Sequence, residues 1–494
     1  MASRSHRKPP PENSNGSYHS KRRIPYQLKP SALLSHTKRR RFNSNSQTVT
    51  RHTNNPSRSN RFEPFRSSSK SRRNNRDEKS IRSSIIEDCS SRTWTFSSTD
   101  CSNSQDKVVV VSYNILGVDN ASKHMDLYPN VPRSFLDWDR RKGLILEEID
   151  NYSAGILCFQ EVDHFNDLEY LFQNHGFKGV YKARTGEALD GCAVFWKDSL
   201  FTLLDQEDIE FQRFGLRNNV AQICVLEVKH DELESDTCAL TEVWRLFHDH
   251  VFSYFQLSNL LYLPSNRTPS TRKRRFLIGN IHVLFNPNRG DIKLGQVRLL
   301  LDKAYKLSQK WGSIPVIIAG DLNSVPQSAI YEFMASSKLD IQLHNRRNIS
   351  GQLDIESNNR VFRSQIGDEA SFSMSISRRV LYQWSIEELR LATGAAGVTH
   401  LQHHLKLCSA YSGVPGNNRT RDDIGEPLAT SYHSKFMGTV DYIWHSEELV
   451  PVKVLETMPI DILRRTRGLP TEKWGSDHLA LVCEFAFANN GNVS

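Results

Sequence analysis

The chain has 494 residues, 38% hydrophobic and 24% charged, enough for one large domain or two to three ordinary ones, and too long for a small disulfide-stapled scaffold. Its net charge of +9 is uneven: residues 1–100 carry 22 Lys and Arg against 7 Asp and Glu, and the remainder 42 against 48. The larger part is therefore mildly acidic, and only the first hundred residues are suited to polyanions.

Residues 1–104 are rich in Ser, Asn, Arg and Pro, hold few apolar residues and show no sustained period, which predicts a disordered basic tail. Two clusters within it, Lys21-Arg22-Arg23 and Lys38-Arg39-Arg40-Arg41, read as a nuclear import signal or a nucleic-acid contact; the Arg and Ser content also suits an organellar transit peptide. We therefore expect the nucleus and cytoplasm, with organellar import as the rival. No apolar run approaches the roughly 18 residues that span a bilayer, so no membrane partner is expected.

A domain over 105–488, followed by a short tail at 489–494, opens with VVVVSY at 108–113, a buried-strand run that delivers Asn114 at its end. A helix follows over 137–151, with Trp138, Ile145 and Ile149 on one face. GILCFQ at 155–160 is a second buried strand ending at Glu161, a short helix covers 167–174, and strands cover 193–196 and 220–228, the last alternating as a half-exposed strand does. Residues 229–275 read as an insertion with an aromatic helix-like piece at 244–262. Strand 276–283 carries His282, and a helix over 294–310 leads to VIIAGDLNSVP at 316–326. There Gly320 is expected to turn the backbone before Asp321 and Asn323. A helix covers 328–336, and residues 340–430 read as a long surface insertion with one helix at 384–391 capped by Ser385 and Glu388. Strands at 440–445 and 479–487 bring in Asp441, Asp477 and His478.

The eight cysteines form no CxxC pair and no zinc-like spacing; Cys158, Cys192, Cys224 and Cys483 lie in apolar runs as small buried hydrophobes, which fits a reducing compartment. Neither HExxH nor a phosphate-binding GxxxxGK[ST] loop occurs. What recurs is polar chemistry at strand ends: Asn114, Glu161, His282, Asp321, Asn323, Asp441, Asp477 and His478 each close or open a separate strand-like run. Alternating strands and helices gather such ends on one rim. Carboxylates there suit magnesium, a hard ion that binds phosphate oxygens, while amides and imidazoles donate to a phosphoryl group, so metal-assisted phosphoester hydrolysis is expected.

The motifs SYNIL at 112–116, FQEV at 159–162, DGCAVFW at 190–196, NIHVLFNPNRGD at 280–291, GDLNS at 320–324, GTVDYIW at 438–444 and SDHLAL at 476–481 resemble the endonuclease-exonuclease-phosphatase superfamily. Within it they look like the carbon-catabolite-repressor-type deadenylases, closest to the angel-like branch. The resemblance implies a two-sheet α/β sandwich with helices outside and the site at one rim. It implies a magnesium-dependent, or manganese-dependent, 3′-to-5′ exoribonuclease that shortens poly(A) tails, with 2′,3′-cyclic phosphate removal from RNA ends as the alternative activity. A catalytically weak RNA-binding member is a further alternative. By resemblance, Glu161 binds metal with Asp477 in support and Asn114 nearby. His478, oriented by Asp441, contacts the phosphate; Asp321 positions the attacking water, and Asn323 and His282 hold phosphate oxygens. Phe436 and Pro287 match positions that sandwich an adenine. RNA is the implied partner. The leucine-rich repeats with which some relatives dock onto the CCR-NOT scaffold are absent, which puts stable membership of that complex in doubt.

Overall fold

In a computed structural model, the structure describes residues 92–98, 106–229, 273–352 and 384–488. Two mixed β-sheets organise them. The first runs in the order β1 (Trp94–Phe96), β16 (Leu449–Leu455), β17 (Leu481–Phe487), β2 (Lys107–Asn114), β3 (Ile156–Gln160), β5 (Gly191–Lys197), β4 (Phe177–Ala183). The second runs β12 (Leu407–Ser409), β15 (Asp441–Ser446), β9 (Val316–Asp321), β8 (Arg275–His282), β7 (Val220–Val228), β6 (Phe201–Glu210).

Unbroken apolar runs are what such layering requires. Successive side chains on a strand point to opposite faces, so a strand covered on both faces must be apolar at every position. In β2, Val110 faces the other sheet, in a core with Ile156, Ile278 and Ile317, while Val111 faces outward onto Ile145 and Ile149 of the helix Trp138–Asp150. In β9, Ile317 faces the first sheet and Ile318 packs outward with Leu294, Val297 and Leu301 of the helix Gly290–Lys310. The result is the expected two-sheet α/β sandwich with helices outside. The capping expectation also holds, since Ser385 and Glu388 form a reciprocal capping box; at the helix Trp138–Asp150 the structure adds a cap in which Asp137 accepts from Arg140 N.

Several boundaries move. The tail expectation ran to 104, but Trp94–Phe96 adds β1 to the sheet edge by pairing antiparallel with β16. The side chain of Arg92 is buried and held from four sides: Nη1 bonds Glu148 Oε1 and Tyr152 OH, each at 3.1 Å, Nε bonds Glu456 O at 2.8 Å, and Nη2 bonds Ala480 O at 2.5 Å. Three paired residues are too few to show a period. Residues 1–91, with both basic clusters, lie outside the described residues, as does the helix-like piece at 244–262. The expected insertion over 340–430 is also too long: β10 (Lys338–Asp340) pairs with β11 (His400–Gln402), and β12 joins the second sheet. Strand β7 is buried over its first seven residues, not half exposed, because β8 and β6 flank it and cores form on both its faces.

Gly320 does not turn the chain. Strand β9 continues through Asp321, with Ile281 opposite Gly320 and His282 opposite Asp321. A side chain at Gly320, where φ is 148°, would meet the Ile281 carbonyl oxygen at 2.0 Å, so glycine serves the close approach of two backbones. The turn comes at Asn323, with φ of 45°. Cys158, Cys192, Cys224 and Cys483 are free and buried as expected.

Candidate active site

The strands bring the polar ends together because β2, β3, β8 and β9 share a direction, while β15 and β17 run against them. Asn114, Glu161, His282 and Asp321 therefore lie at or just past C-terminal ends, and Asp441, Asp477 and His478 at or before N-terminal ends, all on one rim. A cavity of about 570 Å³ opens there, lined by Glu161, His282, Asp321, Asn323, Asp477 and His478.

Two expected members stand beneath it. Asn114 and Asp441 are 1% and 0% exposed, and each acts through a neighbour. Asn114 Nδ2 donates to Glu161 Oε1 at 3.2 Å and to Asp321 Oδ2 at 3.1 Å, locking the two carboxylates to one amide. Asp441 Oδ2 lies 2.8 Å from His478 Nδ1, so the ring presents Nε2, which stands 4.0 Å from Asp321 Oδ2. His282 Nε2 approaches the same oxygen at 3.6 Å and Glu161 Oε1 at 3.9 Å. Asp321 Oδ1 accepts from Asn323 N at 2.7 Å, the contact that the left-handed backbone of Asn323 permits. Asn323 Nδ2 donates to Val283 O at 3.0 Å and faces His282 Nε2 at 3.2 Å, so one amide hydrogen is committed to the backbone.

Electrostatics divides two of the cavity carboxylates, Glu161 and Asp321. Burial opposes ionisation of Glu161, but His282 and hydrogen bonds from Asn120 and Gly117 outweigh it and hold its pKa below the usual value. Burial, then the neighbouring Asp441, pushes Asp321 up. Burial by itself would lower the His478 pKa, yet Asp441 raises it well above the ordinary value, which favours the protonated form of this imidazole beside the carboxylates.

The donor set fits a hard divalent ion. Carboxylate oxygens dominate it, and Asp441 Oδ1 and Asp477 Oδ1 are buried without a hydrogen-bond partner. Asp321, Asp441 and His478 offer ligand atoms within 4.8 Å of one another. The bond between Asp441 and His478 makes that trio a supported dyad facing a carboxylate, whereas Glu161 and Asp477 line the open cavity.

Phe436, in β14 (Phe436–Gly438) of a hairpin with β13 (Ser431–His433), lines the cavity, as does Pro287; both are half-buried. Several partners escape sequence reasoning. Asn120 Nδ2 and Gly117 N donate to Glu161 Oε2 at 2.8 and 3.0 Å, and Tyr128 OH donates to Asp477 Oδ2 at 2.9 Å. Gly117 and Asn120 belong to the six-residue helix Val118–Lys123 and its N-cap, and Tyr128 closes the short 3-10 turn Met125–Leu127, elements too short to show a period. Lys293 is fully buried, donates to Asn323 O at 2.5 Å and to Gln352 Oε1 at 2.9 Å, and burial pushes its ammonium down to about 7. Asp190, paired with Arg184 at 3.2 Å on the cavity wall, opens the DGCAVFW motif, so a signal existed for it.

A model described as the endonuclease/exonuclease/phosphatase family matches residues 111–478. Among curated proteins, the chain is 58% identical to carbon catabolite repressor protein 4 homolog 5 of Arabidopsis thaliana over 427 residues, 86% of this chain and 87% of that protein. It is 30% identical to protein angel homolog 2 of Homo sapiens over 430 residues, 78% of this chain and 70% of that protein. Among solved structures, ANGEL2, described as a 2′,3′-cyclic phosphatase in complex with adenosine-2′,3′-vanadate, matches with a TM-score of 0.57 at 29% identity, covering 80% of this chain and 99% of that one.

Proposed function

The chain belongs to the endonuclease/exonuclease/phosphatase family, among the relatives of the carbon catabolite repressor 4 and angel homologues, and from that premise we propose a magnesium-dependent hydrolase of RNA phosphoesters that shortens adenine-rich 3′ ends. The observation that carries this reading is one cavity holding Glu161, Asp321, His282 and His478 with Phe436 and Pro287 beside them: the groups for phosphoryl transfer adjoin apolar surface for a base.

Glu161 and Asp477 would hold the metal, which would supply Lewis-acid neutralisation of phosphoryl charge. Asp321 orients the attacking water and accepts its proton; its raised pKa makes it a better base than an exposed carboxylate. His478, kept cationic by Asp441, neutralises charge that develops on the phosphoryl oxygens. His282 binds a further oxygen together with the remaining hydrogen of Asn323, and Asn114 fixes the spacing of the two carboxylates.

A second reading, removal of 2′,3′-cyclic phosphate from RNA ends, uses the same groups and is favoured by the likeness to ANGEL2, a 2′,3′-cyclic phosphatase. One assay separates the two. Purified protein with magnesium is given RNA with an adenosine tail, RNA with a uridine tail, and RNA ending in a cyclic phosphate. A shortening ladder on the adenosine tail is the expected result. Loss of the cyclic phosphate with no shortening of either tail overturns deadenylation in favour of the second reading.

A further inference from the structure

A second cavity, of about 700 Å³, opens beyond the β13–β14 hairpin and is lined by Phe135, Met458, Ile462 and Trp474 together with Arg465 and Lys473. It contains none of the catalytic cluster, yet the two cavities share walls. The hairpin gives Ser431, His433 and Phe436 to the catalytic cavity, while its Tyr432 and Met437 pack in a cluster with Met458, Leu469 and Trp474. In the loop between the 3-10 turns Met125–Leu127 and Arg133–Phe135, Tyr128 lines the first cavity and Val131 the second. Three residues of chain reach at most about 11 Å. A turn from Val131 N to Tyr128 O at 3.1 Å brings them closer still.

Charge identifies what would occupy it. Arg464 and Arg467 flank Arg465 in the chain, Arg133 lies between Pro132 and Phe135, and all four arginines are exposed. The acids at the cavity are Asp461 and Glu472, and Asp461 already pairs with Arg419 at 2.9 Å. This basic cluster stands out on a domain that is acidic overall: residues 101–494 carry 42 Lys and Arg against 48 Asp and Glu. Aromatic surface beside arginines is the combination that holds a single strand, the rings stacking on bases and the cations meeting phosphates.

We infer that this cavity is an upstream subsite for single-stranded RNA, receiving a base and its flanking phosphates from a strand whose 3′ end occupies the catalytic cavity. The inference rests on the RNA-hydrolase reading above. It makes affinity depend on length: a dinucleotide fills only the catalytic cavity, and a longer strand engages both.

The test uses the full chain and two variants, Arg465→Glu at an exposed position and Phe135→Ala at a half-buried one, with thermal melting to check folding. The substrates are adenosine oligomers of two and eight nucleotides. Both variants should turn over the dinucleotide as the unaltered chain does, while KM for the octamer rises roughly tenfold with kcat unchanged. An octamer KM unchanged in both variants, with RNA turnover intact, overturns the subsite and leaves the function standing. If the unaltered chain cleaves neither RNA, the functional reading fails and the subsite is read from octamer binding by fluorescence anisotropy. Weakened binding by the variants then supports it, and equal binding refutes it.

Discussion

The Arg92 guanidinium donates to the carbonyl oxygen of Ala480 at 2.5 Å, joining positions 388 apart and pinning the N-terminal strand two residues past His478. Its other nitrogens meet Glu148, Tyr152 and the Glu456 carbonyl, so this one side chain bonds groups on a helix, just past the end of β16 and beside β17. A domain trimmed to its motifs would lose it.

Truncation should therefore have a sharp boundary. Removing residues 1–91 should leave the melting temperature and turnover on a short RNA unchanged. Removing 1–104 takes away Arg92 and β1 and leaves Glu148 buried without its cation, a change that costs about 3–5 kcal/mol. Melting curves of the two truncations check this; equal stability would remove Arg92 from the account of the fold.

Catalysis should collapse when the dyad or the metal carboxylate is altered at constant shape. Asp441→Asn deprives His478 of the charge that keeps it cationic, and Glu161→Gln weakens the metal site; each should lower kcat by about 10²–10³-fold with little change in melting temperature. Chelator should abolish turnover of the unaltered chain and added magnesium restore it. Near-normal kcat in either variant contradicts the assigned roles.

Base stacking makes a separate prediction. Phe436→Ala removes an aromatic from the cavity wall, and stacking on such a ring is worth about 1–3 kcal/mol per base. The KM on an adenosine tail should rise at least several-fold. A phosphoester lacking a base should show no change, and steady-state kinetics on both substrates measures the difference.

Glu426 should contribute a loss of stability as pH rises through the weakly acidic range. It is 1% exposed, and burial pushes its carboxyl from 4.5 up to about 7 despite the hydrogen bond from Tyr331. The folded state thus binds this proton more tightly than the unfolded chain. The contribution is fully present below 4.5 and is lost between 4.5 and about 7, on the order of 3 kcal/mol at most. Glu426→Gln keeps the shape without the charge, so its melting temperature should decline less between pH 5 and pH 8. Identical slopes for the two proteins would exclude the effect.

Sequence alone determined which runs are strands covered on both faces and which polar residues end them. Val108–Val111 and Val316–Ala319 are apolar at every position because two layers cover them, a local property that composition reports directly. The same holds for the helix faces of Trp138, Ile145 and Ile149, and for the gathering of Asn114, Glu161, His282 and Asp321 at strand ends. The edge strands β4 and β6 were not legible, because only part of each is covered and they carry Lys, Asp and Glu; nor was β16, interior to its sheet but interrupted at Pro451 by a register shift. What only the tertiary structure decided is depth and partnership. That Asn114 and Asp441 lie under the cavity while Asp477 lines it, that Asn120 and Tyr128 hold the carboxylates of Glu161 and Asp477, and that Arg92 belongs to the fold all depend on contacts between residues tens to hundreds of positions apart. Periodicity measures the burial of a segment against its own neighbours; it carries no information about which distant side chain fills the space beneath a carboxylate, and at this site that filling decides which groups meet the substrate and which act through another.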